Sequence, residues 1–142
     1  MPAVDATVDD DGDVYRLVKV DACQAVDGRW EFQSSAFDNS TPLHDAERDD
    51  EMSVVLEDTL SALDRVPENL PVETPCPGDP ELWGVARLNV GFLRNDEEQE
   101  ILRTPNDDEP AHGDVRGRKN AGRRKRLKKH ARWVVEPQVT PE

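Results

Sequence analysis

L-W-G-V-A-R-L-N-V-G-F-L-R, residues 82–94, sets Val85, Arg87 and Asn89 against Ala86, Leu88, Val90 and Phe92 in strict alternation. A period of two belongs to a β-strand with one face buried. Gly84 and Gly91 mark places where the backbone bulges or another segment comes close. The rest of the chain is read around this strand.

Upstream, V-Y-R-L-V-K-V (14–20) alternates in the same way, and W-E-F-Q-S-S-A-F (30–37) places Trp30, Phe32 and Ser34 on one face. Asp27-Gly28 between them is a tight-turn signal, so a β-hairpin is expected from 14 to 37. Residues 38–51 read as a polar loop. In M-S-V-V-L-E-D-T-L-S-A-L-D-R-V (52–66), Val55, Leu56, Leu60 and Leu63 recur at helical spacing, and a helix is expected over about 54–65, ended by Pro67. The first four residues also fit the end of a strand. Residues 67–80 hold five prolines and read as an extended loop within one domain. Downstream, N-D-E-E-Q-E turns the chain, I-L-R-T-P (101–105) returns as a short strand, and residues 120–132 form a helix with a short apolar stripe at Leu127, Ala131 and Val134 or Val135.

These pieces predict a single α+β domain over 14–137, with disordered ends at 1–13 and 138–142. Its mostly antiparallel sheet has four to five strands (14–20, 30–37, 82–94, 101–105 and, as the fifth, 134–135), packed against two helices. A chain of 142 residues suits one such domain.

Charge is placed unevenly. Residues 1–115 carry 29 acidic and 8 basic side chains, a balance of −21, whereas residues 116–132 carry 10 basic and no acidic ones. The net charge is −13. An Asp-rich, Lys-poor body is also what salt-adapted or high-GC organisms encode, so bulk acidity reflects habitat as readily as function. It argues against non-specific nucleic-acid binding by the body itself. Cys23 and Cys76 lie in no C-x-x-C pair and are expected to be reduced. The acidic N-terminus lacks the apolar segment of a signal peptide, and no apolar run approaches a membrane span, so a soluble, cytoplasmic protein is expected.

Two stretches can carry chemistry. In D-D-E-P-A-H-G-D (107–114), carboxylates flank His112, an arrangement able to orient an imidazole for acid–base work or to hold a divalent ion. His112 and Asp108 are the candidate catalytic pair, with Asp107 and Asp114 beside them. A solvated turn is the structural alternative. No motif specifies a cofactor, and the identity of any metal stays open. The second stretch is the basic run: Arg116, Arg118, Lys119, Arg123, Arg124, Lys125, Arg126, Lys128, Lys129 and Arg132. Arginine-rich runs contact phosphates. The same run also suits docking against the acidic body, or the outer face of a helix lying on the sheet. Ser34, Ser35 and Ser53 sit in no nucleophile motif, and no glycine-rich phosphate loop occurs.

The order of S-S-A-F (34–37), M-S-V (52–54), G-V-A-R-L-N-V-G (84–91) and D-E-P-A-H (108–112), with a final helix ending near a proline, resembles a group of small prokaryotic proteins. That resemblance brings no function with it. The leading expectation is a binding or accessory protein whose C-terminal helix contacts nucleic acid or an acidic partner protein. The alternative is a small enzyme acting on phosphodiesters or nucleotides. In that reading His112 lies beside a positive pocket of Arg116, Arg118, Lys119 and the helix N-terminus, with Trp133 or Trp83 stacking a base.

Overall fold

The computed structural model describes residues 3–4, 8–37, 51–74 and 78–140, with 3–4 and 51 given as backbone alone. In chain order the strands are β1 (Ala3–Val4), β2 (Asp13–Lys19), β3 (Cys23–Val26), β4 (Arg29–Phe32), β5 (Glu51–Leu56), β6 (Trp83–Asn89), β7 (Glu100–Arg103), β8 (His112–Arg116) and β9 (Arg132–Val135). The helices are α1 (Glu57–Ala62), α2 (Leu70–Glu73) and α3 (Ala121–His130). The α+β class and the antiparallel sheet are as expected. Among the described residues, seven strands form one sheet in the order β1-β7-β8-β5-β2-β6-β9, every neighbouring pair antiparallel. Six of them have four residues or more, which exceeds the four to five expected.

The additional strands come from two segments whose composition hides them. Met52, Val54, Val55 and Leu56 are all buried, so β5 is covered on both faces and shows a continuous apolar run instead of alternation. The expected helix over 54–65 therefore starts only at Glu57. His112–Arg116, expected to continue a loop, is β8, with His112, Asp114 and Arg116 on one face and Gly113 and Val115 on the other. Glycine is required in it. A Cβ at Gly113 would lie 2.8 Å from Leu102 O and from Leu56 Cδ2.

The expected 14–37 hairpin does not form. β2 is paired along its full length with β6, from Asp13↔Asn89 to Lys19↔Trp83, and on its other edge with β5. A strand buried on both faces needs partners of its own kind, which the exposed Gln24–Arg29 segment does not supply. β3 and β4 pair with each other across Asp27-Gly28, both at positive φ (52° and 78°), as a two-residue type I′ turn requires. The strand expected over 82–94 ends at Asn89, before a π-helical turn at Phe92–Asp96. At the other end α3 stops at His130, and β9 takes over at Arg132.

Both flanks join the fold. Val8 is buried in the core, and Gly91 N–H donates to Asp10 O (2.9 Å). Past Pro137, the N–H groups of Gln138 and Val139 both donate to Glu81 O, and Trp30 Nε1 donates to Val139 O (2.8 Å).

The two sheet faces carry separate cores. On the first, Tyr15, Val55 and Val85 meet Leu60 of α1 and Leu70 of α2. On the second, Val14, Leu56, Leu88, Ile101 and Val115 meet Phe32, Phe37, Leu93 and Leu127 of α3. Arg16 reaches through this second core, donating to Ala36 O and Ser53 O. His112 is opposite Val55 on the first face, so α3 lies behind the sheet from it.

Candidate functional site

α3 carries most of the basic run. Asn120 caps its start, Oδ1 accepting from Arg123 N–H (2.9 Å). Arg132 closes its end, Nη1 donating to the carbonyls of Lys129, His130 and Ala131. A cation there satisfies orphan carbonyls and complements the helix dipole. Leu127, fully buried, anchors the helix against the Ser34–Phe37 turn.

Several of the expected phosphate contacts are instead engaged inside the fold. Lys119 is buried, its Nζ donating to Val115 O (2.9 Å) and Gly117 O (3.0 Å). Arg116 pairs with Glu100 (2.8 Å) and Arg123 with Glu98 (3.2 Å). Arg126 donates to Glu97, itself only 2% exposed, at 2.8 Å. Arg124 is half-buried. Arg118, Lys125, Lys128 and Lys129 remain, with no side-chain partner among the described residues. The three lysines stand at i, i+3 and i+4 and share one helix face.

His112 is half-buried at the start of β8. Its Nδ1 lies 2.8 Å from Thr104 Oγ1 and 3.0 Å from Thr104 O, and the Thr104 hydroxyl donates to Asp114 Oδ2 at 2.9 Å. That hydroxyl has one proton, which it gives to Asp114, so both Thr104 oxygens face the ring as acceptors. The network therefore assigns the proton to Nδ1 and leaves Nε2 with a lone pair. Ser53 lies directly opposite Asp114 on β5. Ser34 and Ser35 sit in the turn on the other side of the sheet.

The expected partner Asp108 is elsewhere. Its side chain is exposed and its N–H donates to Asn106 Oδ1 (3.0 Å), in an Asx turn that shapes the loop. Glu109 points inward, held by Arg65 in a bidentate pair (2.5 and 2.7 Å) and by Thr74 Oγ1 (2.8 Å). The expected positive pocket beside His112 does not assemble either. Arg116 is at the far end of β8, about 13 Å away at roughly 3.3 Å per residue, and α3 is across the sheet. Trp83 is buried, and Trp133 donates to Trp30 O while packing on Phe32. Among the described residues, no three His, Cys, Asp or Glu side chains gather as a metal cluster, and no helix is long and apolar enough to cross a membrane. Cys23 is free and buried, and burial pushes its thiol up to about 12. Cys76 lies outside the described residues.

Thr104 and Glu97 are the site residues that sequence reading missed. The only signal for Thr104 was its place at the end of a strand, eight residues before His112. Comparison with known proteins finds no matching family, curated protein or solved structure.

Proposed function

We propose that this protein is a binding or accessory protein that uses the outer face of α3 to contact the phosphate backbone of a nucleic acid. One observation carries the reading. After the internal ion pairs have formed, Lys125, Lys128 and Lys129 on α3 and Arg118 just before it have no acidic partner among the described residues, and the helix's own ends are capped. The rest of the chain is strongly acidic, which disfavours a polyanion away from this stripe. Four cations give modest, strongly salt-dependent affinity and a salt slope no steeper than about −4. No side chain here is arranged to read bases, so contacts are to backbone and sequence preference is weak.

The test is binding of single- and double-stranded oligonucleotides at low salt, by anisotropy. Lys125→Gln, Lys128→Gln and Lys129→Gln together should abolish binding with the fold intact. Arg126→Gln should leave most of the binding and reduce stability, because it removes the closer of Glu97's two cationic partners, leaving Arg123 at 4.0 Å. No binding by the wild type overturns the reading. Binding of an acidic polypeptide but no oligonucleotide would move the same surface to a protein partner.

A further inference from the structure

We propose that His112 and Asp114 form a binding site for a divalent transition-metal ion, ligated by His112 Nε2 and the free carboxylate oxygen Asp114 Oδ1, with water in the remaining positions. Asp114 is only 6% exposed, and among the described residues its carboxylate receives one hydrogen bond, from the neutral Thr104 hydroxyl, and no cationic side chain pairs with it. The second carboxylate oxygen is left available to a cation. His112 and Asp114 alternate along β8 and so share one face, two residues and about 6.6 Å apart along the strand.

Thr104 prepares both ligands at once. Its carbonyl and hydroxyl oxygens accept from Nδ1–H and fix the tautomer that exposes Nε2, while its hydroxyl proton holds Oδ2 and leaves Oδ1 for another partner. This is the outer-shell arrangement that orients metal-binding histidines. Imidazole nitrogen with carboxylate oxygen suits zinc, cobalt or nickel better than magnesium or calcium. The Ser53 hydroxyl, opposite Asp114 and with no side-chain partner among the described residues, is placed to hydrogen-bond a metal-bound water. Two protein ligands give modest affinity and leave coordination positions open, as a site handling water or substrate requires. This site is on the first sheet face and is independent of the α3 surface behind it.

The full chain is titrated with Zn²⁺ by calorimetry and with Co²⁺ by visible absorption. One saturable site is expected, and it is not displaced by an equal concentration of Mg²⁺. His112→Ala should remove it, and Thr104→Val should weaken it about 10- to 100-fold. Proton NMR of the wild type should show Zn²⁺ perturbing the His112 ring ahead of the other two histidines, a readout that survives if a variant fails to fold. Absence of saturable binding at millimolar zinc, full binding in folded His112→Ala, or a first response at another histidine would each overturn the proposal.

Discussion

Glu109 shows how one side chain fixes the loop before β8. Burial by itself would raise its carboxyl, but the Arg65 guanidinium, the Thr74 hydroxyl and the Ala111 N–H outweigh that and hold it below its ordinary value. Arg65 also pairs with Glu73 (3.1 Å), so the ends of α1 and α2 are tied to the loop through one guanidinium. Arg65→Ala strands a buried charge and should cost about 3–5 kcal/mol, read from urea denaturation. A depressed carboxyl contributes stability above its unfolded value and loses it as pH falls through the folded one. The mutant should therefore be less sensitive to acid than the wild type below pH 5. A cost within experimental error would show that the pair is only decorative. In the sequence, Glu109 was one acid among several. Nothing local distinguishes it from exposed Asp108, because its partner is 44 residues away.

Helices and strands differ in how openly the sequence announces them. β2 and β6 were legible from alternation, and α3 from the start of its short apolar stripe at Leu127. β5 was not, since M-S-V-V-L satisfies helical spacing and a doubly buried strand equally well. β8 was hidden by polar residues that face the His112 side and by a glycine that a close-packed leucine requires. Strand partners depend on burial across the fold, so the 14–37 pairing was beyond local reading. The C-terminal turn of α3 adds a testable device. His130 stacks on Phe92 (3.9 Å, 3°) and its Nε2 accepts from Asn89 N–H (3.2 Å). Burial first, then Arg132, lowers its pKa against the opposing pull of Asp13 and Asp96. The unfolded chain thus binds the proton more readily. This contribution to stability is present above the unfolded imidazole's value of about 6.5 and is lost as pH falls below it. Asp13, raised by burial and Glu57, faces the same ring and works in the opposite sense on further acidification. The melting temperature should fall between about pH 7 and pH 5, and His130→Gln, which keeps an acceptor and cannot titrate, should fall less. Equal slopes would assign the loss to other groups.

Charge sets the behaviour of the protein in salt, and two effects run in opposite directions. A net charge of −13 on 142 residues makes the folded state repel itself. The ion pairs of Arg116, Arg123 and Arg126 relieve this locally, since each joins the basic run to the acidic 97–100 segment. Raising ionic strength from about 10 mM to 0.15 M shortens the Debye length from about 30 Å to 8 Å. Long-range repulsion is then screened, while the partly buried Arg126–Glu97 contact is screened much less. The melting temperature should accordingly rise with salt, and oligonucleotide binding through α3 should fall over the same range. The Lys125, Lys128 and Lys129 to Gln variant, three units more negative, should gain more from salt than the wild type and bind nothing at either end. Differential scanning fluorimetry and anisotropy on the same samples check both trends. A melting temperature that drops with added salt would mean that internal ion pairs outweigh self-repulsion. The basic run would then serve the fold first, and the outward face of α3 would lose its claim to a partner.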